Sequence, residues 1–496
     1  MNGTLAKDLA PDGLKDACRA LLAGGGRMQM AYAWFPNPAS GPELRYLASS
    51  GARRPFTLWR VRLANGEAVP SLAGVSPLLG WYEREMTDLA GVRFAGHPEP
   101  YRLVLHEGAE PEAPPLRPSR APQRTLVAQP AERWIPPVES SQVQLLPFGP
   151  VRADVFESGQ FLFHYIGERI LHYQPRLFFK HRGMEKRFES VAPVLGVILA
   201  ERVSGVGSVA HALAFAQALE AAAGCEVPRR ARWLRVIAAE LERIYNHLHY
   251  LGHLCHTTTL KVGEAEGKLL EERAKQLNAL VSGSRFLRGV VGLGGVRRDL
   301  NLEGAADALN SLRAELERYE ALLERTHSHL DRLITTGPLP RQTAFDQGAT
   351  GPVERASGLD RDLRRDHPYA AYDELQPVVP LREEGDAYAR ARVRIDELHA
   401  SFGLLAHALR ELPSGPLAVP LEPGAGGEGL GWTETPRGSL YYAVHLDERG
   451  RLARVKIKSP SFSNWRVFPH TMHDTNMMDY LINEASFGST IAGCDR

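Results

Sequence analysis

Four long segments in the second half of the chain place apolar residues three or four positions apart. This is the period of an α-helix with one buried face. The segments cover residues 191–223, 229–256, 262–289 and 302–334. Helices of this length bury their apolar stripes most simply against one another, so the sequence predicts a helical bundle here. A further helix is predicted at residues 384–412.

The segment 229–256 illustrates the pattern. Glu240, Glu242 and Arg243 are predicted to face away from its apolar stripe. The stripe consists of Trp233, Val236, Ile237, Leu241, Ile244, Leu248 and Leu251.

The first part of the chain has a different character. Short segments broken by Gly and Pro, with strand-like runs at residues 56–63 and 101–105, predict a small α+β domain over residues 1–105. Residues 106–141 are rich in proline and predict an extended linker.

Small sheets complete the second predicted domain, residues 142–496. Residues 142–165 alternate apolar and polar side chains, and residues 429–459 do so on both sides of a turn at 447–450. The fold class is therefore α+β, with a small α+β domain joined by a linker to a mainly helical domain.

The net charge and the hydropathy of the sequence give no reason to expect a nucleic acid or a membrane as a partner. Lys and Arg total 59 and Asp and Glu 58, so the net charge of +1 gives no electrostatic reason to expect nucleic acid or an anionic membrane as a partner. The longest apolar runs, such as residues 191–200, reach about half the length that crosses a bilayer, and no transmembrane helix is predicted. The N-terminus lacks the pattern of a secretory signal, so we expect a cytoplasmic location.

Two sets of motifs carry a resemblance to known families. GWYEREMTDLAGVRF at 80–94, followed by GHP at 96–98, resembles the signature of the complex I 30 kDa-type subunit. The later motifs resemble, in the same order, those of formate hydrogenlyase and hydrogenase-4 large subunits, group 4 [NiFe]-hydrogenases that are homologous to the complex I 49 kDa subunit. These motifs are HRGMEK at 181–186, GGVRRD at 294–299, RRDHP at 364–368 and ETPRG at 434–438.

The resemblance implies a peripheral subunit of a complex I-like or hydrogenase-4-like oxidoreductase, on the cytoplasmic side of the inner (plasma) membrane. Such a subunit takes part in electron transfer, to quinone or another acceptor, coupled to ion translocation. Its implied partners are an iron–sulfur subunit, which holds the clusters, and antiporter-like membrane-arm subunits. The alternative is a non-catalytic structural or coupling subunit that docks an iron–sulfur arm onto a membrane arm. No GxGxxG leads from a strand into a helix, so any NAD would bind to a partner.

The cysteines expected of a working hydrogenase are missing. The family holds nickel and iron with the thiolates of two CxxC motifs, whereas the four cysteines of this chain form no CxxC. The resemblance places the former ligand positions at Ser204, Gly207, Thr490 and Gly493, and Cys494 lies one residue out of register. We therefore expect no bound metal and no hydrogenase activity of the chain by itself. A working hydrogenase would contradict this expectation.

Quinone binding is possible but lacks its usual donors. The complex I relatives contact the quinone with a His near the start of the large domain and a Tyr near the former CxxC. The matching positions hold Arg152 and Gly205.

Six residues are candidates for the lining of the former metal cavity. Arg437 matches an arginine that overhangs the metal in hydrogenases, and a buried ion pair is the alternative. Glu157 matches a carboxylate of the hydrogenase branch and is a candidate proton relay or, alternatively, part of a loop salt bridge.

The other four candidates each have a structural alternative as well. His181, Arg182 and Glu185 are predicted to form a polar cluster that faces the cavity or braces a loop. His211 follows the former ligands by one helical turn, and a hydrogen-bonded core histidine is its favoured interpretation.

Two further groups of residues are weighed as sites. His247, His249, His253 and His256 crowd one helix, and His249 with His253 have the spacing of a metal pair, but no HExxH-type glutamate accompanies them. The run 361–367 is predicted to form a charged loop at a contact between subunits or on the solvated surface.

Overall fold

The fold is given by a computed structural model. It describes residues 4–37, 40–106, 110–111, 113–118, 126–127, 140–152, 157–422 and 424–496. The predicted linker, residues 106–141, therefore lies mostly outside the described residues. Within it, β7 (Glu110–Pro111) pairs with β8 (Leu126–Val127).

The N-terminal part is a four-stranded sheet with two helices and a short second sheet. The large sheet has the order β1-β4-β3-β2, in which β1 pairs with β4 in parallel and the other pairs are antiparallel. The elements are β1 (Thr4–Asp8), α1 (Leu14–Ala23), β2 (Arg27–Trp34), β3 (Glu43–Ser49), β4 (Phe56–Arg62), β5 (Ala68–Pro70), α2 (Gly80–Ala90) and β6 (Arg93–Ala95).

The strand predicted at residues 56–63 is confirmed as β4, whereas the strand predicted at 101–105 is wrong. The backbone N–H groups of Leu103, Val104 and Leu105 all donate to Oδ2 of Asp88 on α2, at 2.9, 2.8 and 3.2 Å. One buried carboxylate thus satisfies the donors that a neighbouring strand would otherwise have to satisfy.

A three-stranded antiparallel sheet opens the larger part of the chain, as residues 142–165 predicted. Its order is β11-β10-β9. Its strands are β9 (Gln144–Phe148), β10 (Gln160–Ile166) and β11 (Arg169–Arg176).

The helices that follow confirm the predicted helical part and the α+β fold class. They surround two two-residue strands, β12 (Val291–Gly292) and β13 (Gly295–Val296). The helices are α3 (Met184–Arg187), α4 (Pro193–Ala200), α5 (Ser208–Ala223), α6 (Arg229–Thr257), α7 (Lys261–Ser282), α8 (Ala305–Arg325), α9 (His327–Leu333), α10 (Arg341–Gln347), α11 (Pro352–Ala356), α12 (Leu363–Asp366), α13 (Tyr372–Leu375) and α14 (Ala387–Arg410).

Two of the four long helices predicted in this region are broken. The segment 191–223 divides into α4 and α5 at a turn over residues 201–207, and 302–334 divides into α8 and α9 at Thr326. Thr326 has φ −91° and ψ 84°, and its hydroxyl donates to the carbonyl of Leu322 at 2.8 Å. Such a bond to the preceding turn competes with continuation of the helix.

The C-terminal part is a three-stranded meander followed by three helices. The sheet order is β14-β15-β16, with β14 (Glu428–Thr435), β15 (Gly438–Leu446) and β16 (Leu452–Lys458). The helices are α15 (Pro460–Val467), α16 (Tyr480–Phe487) and α17 (Ile491–Asp495). The predicted hairpin around 447–450 is the β15–β16 connection.

Strand β14 lies directly on the backbone of α5, and glycine makes this contact possible. A Cβ at Gly431 would collide with the carbonyl oxygen of Ala214, and the same holds for Gly429 and Ala218. We expect Gly431→Ala to lower the free energy of unfolding by about 1–3 kcal/mol, because a backbone atom has little room to shift. Gly403→Ala on α14, where nothing lies within 4 Å of the new Cβ, is the matched control. It should be neutral or stabilising in the same urea titration.

The prediction that Glu240, Glu242 and Arg243 face away from the core is wrong. Helix α6 packs against α5, α7, α14, α16 and β13, so no side of it around these residues is left to solvent. The three side chains are 0–1 % exposed. Buried charges require partners. Glu240 and Arg243 are paired within a cluster that we call the buried ion network, whereas Glu242 accepts backbone N–H groups. The network consists of Glu240, Arg243, Arg355, Asp362, Arg364, Glu397 and Glu434.

The network also corrects the prediction for the run 361–367. Asp362 and Arg364 are buried, with Arg364 Nη2 2.7 Å from Asp362 Oδ2 and Nη1 3.2 Å from Glu240 Oε1. Arg365 is partly exposed and pairs with Asp360 and Asp366. The charged run therefore anchors a loop in the core instead of lying on the surface.

The two parts of the chain share one hydrophobic core, and buried ion pairs join them. Glu85 of α2 pairs with Lys456 of β16 at 2.6 Å and with Arg496 at 2.8 Å. Arg27 of β2 pairs with Glu354 of α11 at 3.3 Å. Among the residues that the structure describes, none of the helices is both long and apolar enough to cross a membrane.

Candidate functional site

The four positions predicted as former metal ligands lie in two short turns. Ser204 and Gly207 belong to the turn between α4 and α5, and the Cβ of Ser204 is 4.0 Å from the ideal Cβ position of Gly207. Thr490 and Gly493 form the start of α17, where Thr490 Oγ1 accepts the N–H of Gly493 at 3.2 Å. Each pair is thus close in space.

Two arginines connect these turns, and both were predicted as site residues. Arg182 donates from Nη2 to the carbonyls of Val203, at 2.5 Å, and Ala492, at 3.1 Å, one on each turn. Arg437 donates from Nε to the carbonyl of Gly488 at 2.8 Å and from Nη1 to Asn246 Oδ1 at 2.7 Å.

Asn246 extends the connection through Arg437 to the first turn. The sequence did not predict it as a site residue. Its Nδ2 donates to the carbonyl of Val206 at 2.8 Å, so the chain of bonds runs from Gly488 through Arg437 and Asn246 to the turn before α5. No sequence signal distinguishes Asn246, because α6 carries many other polar side chains.

Glu157 lies at the C-terminal turn. Its carboxylate accepts the N–H groups of Ile491 and Ala492, the latter at 2.9 Å, so it caps α17. This is a structural role that the sequence did not predict. Burial lowers the pKa values of Arg182 and Arg437, and the charge of Glu157 opposes this shift in both.

The predicted cluster of His181, Arg182 and Glu185 is divided in the structure. His181 Nδ1 donates to the carbonyl of Asp495 at 2.7 Å and faces the C-terminal turn. Glu185 is buried among Arg454, Lys456 and Arg496. Burial alone would raise the pKa of Glu185, but these three cations hold it well below its usual range. Lys456 and Arg496 also pair with Glu85 of α2, so Glu185 belongs to the group of charges that joins the two parts of the chain.

His211 lies next to the first turn and is a hydrogen-bonded core histidine. Its Nδ1 shares a hydrogen bond with the hydroxyl of Tyr442 at 2.8 Å, and Cδ2 is 3.2 Å from the ideal Cβ position of Gly207. Burial and the charge of Arg182 lower its pKa to about 3, so its imidazole is neutral at pH 7.

Glu242 is a second site residue that the sequence did not predict. It is 1 % exposed, and its carboxylate accepts the N–H groups of Val209 and Ala210, at 2.7 and 3.1 Å, at the start of α5. Burial raises its pKa to about 7, although these bonds and Arg437 oppose the rise. A buried carboxyl that titrates near neutrality can hold and release a proton close to the turn before α5.

The raised pKa of Glu242 makes a pH-dependent stability prediction. The folded protein keeps a proton that the unfolded chain releases above about pH 4.5, so this group makes stability fall as the pH rises from about 4.5 to about 7. Glu242→Gln removes this contribution to the pH dependence of the unfolding free energy. We expect the difference in unfolding free energy between wild type and variant to change by about 3 kcal/mol across this window, in the variant's favour at the upper end.

Urea titrations at pH 5 and pH 8 check this expectation. Glu266→Gln, at an exposed position on α7, is the control and should follow the wild type at both values. Equal pH dependence of wild type and Glu242→Gln would contradict the prediction.

Arg152 and Gly205 occupy the positions at which the quinone donors are missing. The first is held in an ion pair, and the second is exposed. Arg152 forms a bidentate pair with Glu484, at 2.8 and 3.0 Å, and lies over the ring of Phe161. Gly205 is exposed on the turn between α4 and α5, with Nη2 of Arg288 3.8 Å from its ideal Cβ position.

Three of the four histidines of α6 pair with different carboxylates. His247 is buried against Glu397 at 2.7 Å, whereas His249 and His256 pair with Glu271 and Glu264 at the surface. Within the described residues, no group of three or more His, Cys, Asp or Glu side chains could hold a metal ion.

Comparisons with known proteins match both parts of the chain. The family model described as respiratory-chain NADH dehydrogenase, 30 Kd subunit, matches residues 9–125. The 49 Kd subunit model matches residues 269–423 and 422–496, and the nickel-dependent hydrogenase model matches residues 182–288.

Individual relatives extend these matches. Formate hydrogenlyase subunit 5 of Escherichia coli is 31 % identical over 84 % of this chain and 75 % of its own length. An NADH-quinone oxidoreductase subunit of Cereibacter sphaeroides is 28 % identical over 88 % of this chain and 83 % of its own length.

A solved structure agrees with the fold. A chain of the membrane-bound sulfane sulfur reductase, an archaeal respiratory membrane complex, aligns with a TM-score of 0.68 at 26 % identity over 73 % of this chain and 100 % of its own length. The predicted resemblance is confirmed: the chain belongs to the family of formate hydrogenlyase subunit 5, and it joins domains of the 30 kDa-type and 49 kDa-type subunits of respiratory NADH dehydrogenase.

Proposed function

We propose that the chain is a subunit of a membrane-bound complex I-like or hydrogenase-4-like oxidoreductase. It takes part in electron transfer, to quinone or another small acceptor, coupled to ion translocation, and it works without a [NiFe] centre. The proposal includes a peripheral position on the cytoplasmic side of the inner membrane, an iron–sulfur partner subunit and a membrane arm. Its main support is the hydrogenase-like pair of turns, kept in place by Arg182 and Arg437 but without thiolates.

The residues at the two turns do not fit a [NiFe] cluster. Gly207 and Gly493 have no side chain, and Thr490 Oγ1 is engaged with the N–H of Gly493 and lies 3.4 Å from Ser461 Oγ. A neutral hydroxyl is a poor substitute for a thiolate at a soft metal. Cys494 is buried within α17, and burial raises the pKa of its thiol well above the usual value, so the thiol stays protonated.

Arg437 and Glu242, which lie beside these turns, suit an acceptor that gains electrons and protons. The guanidinium of Arg437, fixed by two hydrogen bonds, would stabilise negative charge developing on an acceptor oxygen. Glu242, with a pKa near 7, would supply a proton at neutral pH. A direct contact between Arg152 and a quinone would require its pair with Glu484 to open.

A non-catalytic coupling subunit is the second candidate. It is favoured by the engagement of the polar groups at both turns in bonds within the chain, including the Glu157 cap and the Thr490 bond. Such a subunit would keep the scaffold because two arms of the complex dock onto it. Any NAD reaction would belong to a partner in either case.

Purification of the intact complex distinguishes the candidates. We expect iron and acid-labile sulfide from the partner, no stoichiometric nickel, and acceptor-dependent oxidation of the physiological donor. Stoichiometric nickel in the complex would overturn the proposal. A complex that assembles fully but transfers no electrons to any quinone or small acceptor would establish the coupling subunit.

A further inference from the structure

A cleft of about 650 Å³ lies between the two parts of the chain, and none of the described residues that line it belongs to the two turns of the candidate site. One wall includes side chains of the motif at 80–98, to which the proposed function gives no role. The other wall is formed by β11, the end of α15 and the segment 468–473. Pockets for small molecules commonly measure about 300–1,000 Å³, so this cleft has room for an organic ligand.

Arg466, at the end of α15, brings a positive charge into the cleft without a carboxylate partner. Its Nη1 donates to the carbonyl of Pro77 at 2.6 Å and to Gln347 Oε1 at 2.7 Å, and its Nη2 donates to the carbonyl of Gln347. All three acceptors are neutral, and no carboxylate in the described part of the chain forms an ion pair with this guanidinium. Burial lowers the pKa of Arg466 to about 9. A guanidinium in this setting lacks a counter-charge.

Part of this guanidinium is available to a ligand. A guanidinium carries five N–H groups, two on each Nη and one on Nε. The three hydrogen bonds use both N–H groups of Nη1 and one of Nη2. The second N–H of Nη2 and the N–H of Nε are therefore left without an acceptor among the described residues. Two N–H groups on neighbouring nitrogens are what a carboxylate or a phosphate accepts in a bidentate contact.

Three histidines line the cleft together with Arg466. His470 and His473 lie on the segment 468–473, and the ring centroids of His473 and of His172 on β11 are 6.3 Å apart. Burial lowers the pKa of His470, and the charges of Arg466 and His473 lower it further. Burial and neighbouring histidines likewise lower the pKa of His172. The protonated forms of these groups repel one another, and a bound anion would relieve that repulsion.

The carboxylates nearby do not supply the missing charge. Glu99 is the one carboxylate among the described residues that line the cleft, and its side chain is 66 % exposed and pairs with Arg84 at 3.3 Å. Asp474, at the end of the segment 468–473, pairs with Arg169 at 2.8 Å. The charge of Arg466 is therefore left for a ligand to balance.

We propose that the cleft binds a small organic anion, with its phosphate or carboxylate group on Arg466 and its body against Trp81 and Tyr101. Both aromatic side chains line the cleft, and Tyr101 is 48 % exposed. Aromatic rings bury the body of an organic ligand, whereas a bare inorganic ion would leave most of the volume unused. The inference goes beyond the proposed function, because the site involves neither turn and no electron transfer.

Isothermal titration calorimetry of the full-length chain tests the site with ADP, citrate and inorganic phosphate. We expect one-to-one binding of ADP or citrate, and Arg466→Gln should weaken it about 10- to 100-fold, because a charged bidentate contact is lost. Arg325→Gln is the matched control. Arg325 lies on α8, donates to the carbonyl of Ala321 at 2.9 Å and does not line the cleft, so this variant should keep wild-type affinity. Tighter binding of ADP than of citrate identifies phosphate as the recognised group, and the reverse order identifies a carboxylate.

A second variant separates binding from folding, because Arg466 also makes three structural hydrogen bonds. His470 is exposed, and His470→Glu places a negative charge beside Arg466 without removing those bonds. We expect the same loss of affinity with unchanged thermal unfolding, whereas His327→Glu, at an exposed position on α9, should bind like the wild type. Tyr101→Ala should weaken binding of the organic anion about 3- to 10-fold and leave inorganic phosphate unaffected.

The possible outcomes are distinct. Absence of binding by both ADP and citrate, or wild-type affinity in both Arg466→Gln and His470→Glu, would overturn the proposal. Binding to the chain alone that is absent from the intact complex would also overturn it, because a partner segment would then occupy the cleft. Inorganic phosphate that binds as tightly as the organic anions would overturn the assignment of an organic ligand. None of these results depends on whether the complex transfers electrons, so the site and the proposed function fail independently.

Discussion

Replacing Glu397 with glutamine is expected to lower the free energy of unfolding by at least about 3 kcal/mol, the largest stability effect predicted for one substitution in this chain. Glu397 is 1 % exposed on α14, and its carboxylate meets Arg355, Arg243 at 3.1 Å and His247 at 2.7 Å. Glutamine has nearly the same volume, so no cavity forms. The loss comes from removing one counter-charge that two buried guanidinium groups share.

The balance of the buried ion network explains the size of this effect. Three arginines face four carboxyl groups, and burial together with Asp362 raises the pKa of the fourth, Glu434, to about 7. The pKa of Glu397 is instead held well below its usual range: burial would raise it, but Arg355 and Arg243 prevail. Arg355 still contacts Glu434 and Asp362 in the variant, whereas Arg243 keeps Glu240 as its remaining carboxylate partner, with Nε 3.4 Å from Oε2.

Glu320→Gln is the matched control. Glu320 also pairs with an arginine and a histidine, Arg392 at 2.9 Å and His399 at 2.7 Å, but its side chain is 21 % exposed. Water screens such a pair, so we expect a loss below about 1 kcal/mol. Chemical denaturation of the three proteins at pH 7 provides the comparison. Equal effects of the two substitutions would mean that the network contributes no more than a surface pair.

The pH dependence gives a second check on the same variant. The pKa of Glu397 is depressed in the folded state, so its contribution is complete above about pH 4.5 and is lost as the pH falls through the folded-state value. The gap between wild type and Glu397→Gln should therefore stay constant from pH 8 to pH 5 and narrow only in more acidic solution.

The helices and the family were predictable from the sequence, whereas the buried charges were not. Period alone located α6, α7 and α14, because each buries a long apolar stripe. The same rule assigned Glu240 and Arg243 to the outer face, because it assumes that one side of a helix meets water. That assumption fails for a helix surrounded by others, and the charges then pair across distant segments that no local pattern connects.

The candidate site was predictable in its positions but not in its connections. The resemblance gave Ser204, Gly207, Thr490 and Gly493 as two pairs of former ligand positions, and both pairs are compact in the structure. The roles of Asn246 and Glu242 depend on contacts with residues 32–40 or 191 positions away in the chain. Only tertiary structure reveals such contacts, since an isolated Asn or Glu on a helix is ordinary.

Replacement of Arg437 by methionine is expected to have the largest functional effect. Under the proposed function, this guanidinium stabilises the charge that develops on the acceptor, and loss of one such fixed donor costs about 100- to 1,000-fold in turnover. Methionine fills much of the same space. It leaves Asn246 Oδ1 and the carbonyl of Gly488 without their donor, so a loss of stability of about 1–3 kcal/mol should accompany the functional loss.

A conservative variant separates these two effects. Arg437→Lys retains a cation but has no planar fork to reach both acceptors, so we expect intermediate turnover and a similar loss of stability. Acceptor reduction is measured on the intact complex, with iron per mole of chain as the check on assembly. Arg392→Met, a partly exposed arginine of α14, controls for loss of a cation and should keep wild-type turnover. If Arg437→Met assembles fully and keeps wild-type turnover, Arg437 has only a structural role between the two turns. That result would favour the coupling subunit.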